Sequence, residues 1–162
     1  MRRPLKIALL PTIALAFSAI GWLPAAPAVA ASTTWSCAPW GWHYPASHFE
    51  VSAMVCLGES LGQLTPSLSS ECKQNDSLLG WVRKECTAGN LNYRLTSPDG
   101  SVYNGRLPDG TGYYFDIYGT TTHKCAVGDW TYEQQSTHTL NTAAGGSGDT
   151  SQTQTINVAS CS

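Results

Sequence analysis

Residues 91–118 read LNYRLTSPDGSVYNGRLPDGTGYYFDIY, and this stretch decides the fold class of the chain. Apolar and polar residues alternate at both of its ends, in Leu91–Leu95 and in Tyr113–Tyr118, which is the pattern of half-buried β-strands. Turn sequences rich in Gly, Asn and Pro separate these runs: Pro98-Asp99-Gly100, Asn104-Gly105 and Pro108-Asp109-Gly110. Short alternating runs between such turns predict an all-β domain.

Further runs on both sides of this stretch extend the prediction. His48–Leu57 is apolar enough for a buried strand, Trp130–Gln134 alternates, and residues 154–158 alternate as a closing strand. An amphipathic sheet must bury its apolar face against a second layer. The sequence therefore predicts a disulfide-stapled antiparallel β-sandwich of about seven short strands, with at most one short helix. Residues 77–85 fit a short helix and a strand equally well.

Two segments of this β-region resemble a known class of module. Ser97–Ser101 together with Gly128–Tyr132 is similar to the closing hairpins of secreted immunoglobulin-like and P-domain-like sandwich modules, within residues 91–135. The resemblance implies an accessory or binding role and brings no catalytic residues with it. The chain departs from the immunoglobulin pattern at His123, which stands two residues before Cys125 where that pattern has a tyrosine.

The first thirty residues have the layout of a secretory signal peptide. Basic residues without any acid are followed by the apolar stretch Ile7–Leu23 and by small residues that end in Ala28-Val29-Ala30. Pro11 interrupts the apolar stretch and no basic stop-transfer flank follows it, which favours secretion over a retained membrane span. We expect a signal peptide over residues 1–30 and one secreted, extracellular domain over residues 31–162.

The charge of the expected domain excludes one class of partner. Beyond residue 30 the chain has six Lys and Arg residues against 11 Asp and Glu residues, a net charge of −5. Phosphate backbones are bound by clustered cations, which this acidic chain lacks. The sequence predicts no nucleic-acid partner and no membrane span in the mature form.

All six cysteines lie in the expected domain, and an even number in an oxidising compartment predicts three disulfides. Successive gaps of 19, 16, 14, 39 and 36 residues lack the close cysteine pairs of zinc sites, so no metal is predicted. Short gaps close at low entropic cost, which favours sequential pairing. The predicted bonds are Cys37 with Cys56, Cys72 with Cys86, and Cys125 with Cys161.

One string in the chain matches a catalytic motif. Gly58–Gly62 reads Gly-Glu-Ser-Leu-Gly, the Gly-x-Ser-x-Gly elbow that presents a serine nucleophile, and His138 with Asp116 or Asp129 supplies the order of a triad. The elbow requires a strand followed by a helix, and a Ser/Thr-rich run follows here instead. A turn between two strands explains both glycines equally well. A small serine hydrolase using Ser60 is kept as an alternative, with no catalytic residue and no cofactor predicted.

Aromatic side chains are the candidate ligand-binding groups. Trp40, Trp42 and Tyr44 alternate, so an extended segment presents all three on one side, either as a platform or as a lid within residues 31–47. A second patch opposite the expected core of its strand consists of Tyr114, Asp116 and Tyr118. Large rings beside polar groups bury much area at low side-chain entropy, which suits a sugar or a protein surface.

These observations favour a secreted binding or accessory module that recognises glycans or the cell envelope through its aromatic side chains. The expected partner is a polysaccharide, a cell-envelope component or an extracellular protein. A second interpretation is a protease inhibitor that presents a basic side chain from Asn104–Pro108 or from Arg83-Lys84.

The Gly-, Ser- and Thr-rich residues 142–153 are expected to form a flexible loop.

Overall fold

The computed structural model describes residues 32–162, so the predicted signal peptide lies outside the described residues. The described chain contains twelve strands and no helix, and the prediction of an all-β fold with antiparallel sheets is confirmed. The strands are more numerous than expected, and four of them have 12 to 14 residues. Residues 32–162 contain no helix that is long and apolar enough to cross a membrane.

In chain order the strands are β1 Thr34–Cys37, β2 Gly41–Ala46, β3 Phe49–Ser60, β4 Gln63–Asp76, β5 Gly80–Arg83, β6 Cys86–Thr96, β7 Val102–Arg106, β8 Gly110–Gly112, β9 Tyr114–Tyr118, β10 His123–Lys124, β11 Gly128–Leu140 and β12 Ser147–Val158.

The strands form two antiparallel sheets. In the first sheet, the long hairpin of β3 and β4 lies at the centre. β1 and β2 follow one another along the outer edge of β3, and β10, β9 and β5 follow one another along the outer edge of β4. The second sheet has the order β12, β11, β6, with β7 and β8 sharing the remaining edge of β6.

The two sheets pack their inner faces against each other because β3, β6 and the beginning of β11 carry apolar side chains at alternate positions. Val55 and Leu57 of β3 lie in the same core cluster as Trp130 and Tyr132 of β11. Phe49, also on β3, lies in a smaller core cluster with Leu140 of β11. The strand predicted over His48–Leu57 thus supplies the core of the first sheet.

All three predicted disulfides are present, and the described residues contain no free cysteine. Cys37–Cys56 joins the neighbouring strands β1 and β3. Cys72 on β4 and Cys86 on β6 belong to different sheets, so their bond crosses the core. Cys125–Cys161 joins the segments that follow β10 and β12. These three bonds are consistent with a protein of an extracellular, oxidising environment.

The structure corrects the loop expected at residues 142–153. Only residues 142–146 form the turn between strands, and Ser147 begins β12, which pairs with β11 over its whole length. Thr favours strands, and hydroxyl pairs across the two strands satisfy its polar groups, as between Ser136 and Thr150 at 2.8 Å. The composition is that of a linker, but the neighbouring strand determines the conformation.

Two further local predictions are settled by the structure. Residues 77–85 contain the strand β5 and no helix, because Gly80–Arg83 pairs with residues 73–76 of β4. The Asp76 side chain stabilises the turn between the two strands by accepting hydrogen bonds from the backbone N–H groups of Leu78 and Leu79. Alternation in Tyr113–Tyr118 predicts that Tyr113 and Ile117 face the core, opposite Tyr114 and Tyr118. Tyr113 is instead 57% exposed and precedes β9. Ile117 of the same run is buried as expected.

Candidate functional site

Strands β1 and β2 of the first sheet carry Trp35, Trp42 and Tyr44 with their rings toward solvent, and Trp40 lies directly before β2. Both β1 and β2 pair with β3, the latter with a register shift between His43 and Ala46, which corrects the expectation of a separate lid or arm over residues 31–47. Trp35 pairs with Gly58 of β3, and Trp42 pairs with Ser52 of β3, on the face of the sheet opposite the core. Trp42 is 54% exposed and Tyr44 is 64% exposed.

A second row of rings lies on the opposite edge of the same sheet face. Tyr114 and Tyr118 project from β9, and Trp81 projects from β5, all of them exposed. Asp116 stands between the two tyrosines and accepts a hydrogen bond from the Ser69 hydroxyl at 2.5 Å. The two aromatic patches predicted from the sequence therefore belong to one surface.

The two rows meet above the central strands β3 and β4. Ring centroids are 5.4 Å apart for Trp35 and Tyr118, and 6.1 Å apart for Trp40 and Tyr114. The third pair, Tyr44 and Trp81, has its centroids 6.2 Å apart. Exposed fractions range from 37% to 64% across the set. We call this surface the aromatic band, and it consists of Trp35, Trp40, Trp42, Tyr44, Trp81, Tyr114 and Tyr118.

Small residues on β3 and β4 allow the rings to lean across the sheet. A Cβ atom at Gly58 would lie 2.6 Å from the Trp35 ring, so only glycine accommodates that ring in its position. Ser52 and Ser67 are buried on the same face. The Ser52 hydroxyl has no hydrogen-bond partner within the described chain. The band therefore covers polar atoms as well as supplying apolar ring faces.

Charged side chains lie among the rings and neutralise one another. Lys73 lies 4.6 Å from the centroid of the Trp42 ring and contacts Glu50 at 3.4 Å and Glu71 at 3.7 Å. Arg83 contacts Glu71 at 2.6 Å. The first contact is a cation–π interaction, which holds the Lys73 ammonium against the face of the indole. The two cations and two carboxylates leave this part of the band without net charge.

The Gly-x-Ser-x-Gly string forms the hairpin between β3 and β4. Leu61 and Gly62 have φ values of 51° and 70°, the left-handed conformations of a two-residue turn between strands. The Glu59 carboxylate accepts hydrogen bonds from the backbone N–H groups of Gly62 at 3.0 Å and Ser162 at 2.9 Å. Ser60 thus ends a strand at a hairpin, without the helix that a nucleophile elbow needs.

His138 lies in a hydrogen-bonded network between the sheets. Its ring nitrogens lie 3.2 Å from the Ser70 hydroxyl of β4 and 3.3 Å from the Thr150 hydroxyl of β12. His138 and Ser70 are fully buried, so the pair connects the two sheets and is closed to a substrate. Burial, and to a smaller extent repulsion from the charge of His43, lowers the pKa of His138 from its ordinary value near 6.5 to about 4.

The other sequence candidates are already engaged within the protein. Asn104–Arg106 belongs to strand β7, and Arg106 is paired with Asp109 at 3.1 Å. Arg83 is paired within the band, as described above. Among residues 32–162, no three His, Cys, Asp or Glu side chains come together to hold a metal ion.

A polar cleft of about 410 Å³ lies on the outer face of the second sheet. It opens where β6 and β11 shift register between Gln135 and Thr137. Amides and hydroxyls line it, with Asp149, and no aromatic ring contributes. Specific ligand sites usually combine apolar or aromatic walls with a few polar groups, which makes the band the better candidate.

Sequence reasoning identifies most of the band but misses part of it. Trp81 lies in the segment that fits a helix and a strand equally well, and Lys73 and Gly58 carry no binding signal of their own. The available signal is the position of Trp81 directly after Gly80 and close to the charged run Arg83–Glu85. The chain matches no known protein family, no curated protein and no solved structure. Its β-sandwich is therefore not assigned to the immunoglobulin-like or P-domain-like modules that the sequence resembles.

Proposed function

We propose that the protein is a secreted, non-catalytic module that binds glycans through the aromatic band. The observation that carries this proposal is the set of seven exposed aromatic side chains on one side of the first sheet, six of which form three contacting pairs. Soluble monomeric proteins rarely expose contiguous apolar surface on this scale without a binding role. The predicted signal peptide and the three disulfides support an extracellular location.

The chemistry of the band suits a sugar ring. Indole and phenol rings carry negative faces, against which the weakly positive C–H groups of a sugar stack. The intervening carboxylates of Asp116 and Glu71 offer hydrogen-bond acceptors to sugar hydroxyls. Alternating ring faces and polar groups fit such a ligand better than they fit a protein partner, whose interface core is depleted of charged residues.

Replacing Trp42 with alanine is expected to weaken glycan binding about tenfold, because the central ring of one row and its contact with Lys73 are lost. The measurement is retention of the purified protein on a panel of insoluble polysaccharides and peptidoglycan. Tyr118→Ala is expected to act in the same direction. Tyr113→Ala is the matched control, since Tyr113 is an exposed ring outside the band.

Two results would overturn the proposal. One is the absence of retention on every polysaccharide and on peptidoglycan. The other is retention that Trp42→Ala and Tyr113→Ala weaken equally, since that would place the contact outside the band.

A valine at Gly58 is expected to weaken the same retention several-fold without unfolding the protein, because its side chain displaces the Trp35 ring from the surface of β3. Intrinsic tryptophan fluorescence reports the change at Trp35, and thermal unfolding reports stability. Gly100→Ala provides a contrast, since it strains a glycine of positive φ in a turn outside the band, where an added Cβ atom would meet no other atom within 4 Å. An unchanged binding curve for Gly58→Val would remove Trp35 from the site.

A further inference from the structure

We infer that the ligand of the aromatic band is an uncharged, linear polysaccharide that lies lengthwise along β3 and β4 and contacts several sugar units at once. This inference rests on the proposed function. It adds the shape, the charge and the orientation of the ligand.

The length of the band sets the first part of the inference. Through Gly58, Trp35 is level with Thr65 of β4, and Trp81 is level with Asn75 of the same strand. The band therefore spans from residue 65 to residue 75 along one strand, roughly 33 Å at the usual rise of a strand. Such a distance exceeds the size of a mono- or disaccharide and corresponds to an extended oligosaccharide.

The direction of the ligand follows from how the rings are arranged. Each of the three ring pairs crosses the sheet, and successive pairs follow one another along the strands. Successive stacking surfaces therefore lie along the strand direction. A polymer whose units repeat along its axis can place one sugar after another on them.

Charge complementarity excludes acidic polymers. Lys73 and Arg83 are the cations of the band, and both are already paired with Glu50 or Glu71. Asp116 adds an exposed carboxylate between two rings. The described chain as a whole carries a net charge of −5. Lys124 of β10 lies beyond the Trp35 end of the band, level with Gln63. A uronate, sulfate or phosphate polymer would therefore meet no unpaired cation among the rings and would be repelled by the net negative charge.

Chain-length dependence of binding tests the inference. Isothermal titration calorimetry would compare neutral cello- and chito-oligosaccharides from the disaccharide to the octasaccharide, with heparin and polygalacturonate as acidic probes. We expect affinity for a neutral series to rise with each added sugar until the band is covered and then to level off, and acidic probes to bind at least about tenfold more weakly.

Variants at the two ends make the test specific. Trp35→Ala and Tyr44→Ala should each weaken octasaccharide binding about fivefold. In the double variant the two factors should multiply, because the two side chains are far apart. Both should change disaccharide affinity less than about twofold, since a disaccharide can occupy the remaining rings. Tyr113→Ala should change neither ligand.

The alternative outcomes separate this inference from the proposed function. Equal affinity for the disaccharide and the octasaccharide, lost in Trp42→Ala, would overturn the extended ligand and leave glycan binding intact. Stronger binding of the acidic probes would overturn the uncharged ligand. A dimer that Trp42→Ala converts to monomer in analytical ultracentrifugation, without oligosaccharide binding, would assign the band to a second copy of the chain and overturn both.

Discussion

Replacing Trp130 with alanine is expected to lower the free energy of unfolding by about 4 kcal/mol, a loss at the upper end of what single core substitutions cause. Trp130 is fully buried, its indole N–H donates a hydrogen bond to the backbone oxygen of Ala126 at 2.8 Å, and its ring stacks with Tyr103 at 6.0 Å between centroids. The variant loses the transfer free energy of the indole and leaves a cavity between the sheets.

Urea unfolding followed by far-ultraviolet circular dichroism gives this quantity. Trp81→Ala is the matched control, because Trp81 is an exposed tryptophan of the band, and it is expected to change stability by less than about 1 kcal/mol. Similar losses for the two variants would mean that Trp130 is not the centre of the core.

Acidification from pH 7 to pH 4 is expected to destabilise the protein by about 3 kcal/mol through His138. The unfolded chain binds a proton on His138 near pH 6.5, whereas the native state binds it only near pH 4. The unfolded state therefore holds more protons between these values. The stability associated with neutral His138 is fully present above pH 6.5 and is lost as the pH falls toward 4.

The His138→Gln variant isolates this contribution. Glutamine keeps polar groups near Ser70 and Thr150 but does not titrate, so the pH dependence of the unfolding free energy between pH 7 and pH 4.5 should become much shallower. Part of the dependence should remain, because burial lowers the pKa values of His43 and His123 as well. An unchanged slope in the variant would show that His138 is not the group responsible.

Strands whose apolar residues alternate could be predicted from the sequence, and strands without them could not. Phe49–Leu57 and Trp130–Gln134 are recognisable because one face of each is apolar and must be buried. Ser147–Thr153 has almost no apolar residue, and its conformation depends on β11, from which a turn separates it. The amino-acid composition of this segment alone gives no indication that it pairs with β11.

The disulfides were predictable because short gaps favour sequential bonds, and the structure contains those bonds.

The assembly of the band was not predictable to the same degree. Alternation placed Trp42 and Tyr44 on one face, but the neighbours of that face depend on sheet topology. Trp81 meets Tyr44 only because the β3–β4 hairpin lies between their strands. The network around His138 likewise joins residues that are distant in sequence.

The register of β3 and β4 has a mechanical consequence. The hairpin pairs twelve residues of β3 with twelve of β4, and its hydrogen bonds lie perpendicular to the strands. Tension applied parallel to these strands loads the bonds together in shear, whereas tension across the sheet would open them one after another. The Cys37–Cys56 bond also anchors β1 covalently to β3. The sheet face that carries the rings is thus built to resist a pull along its own length.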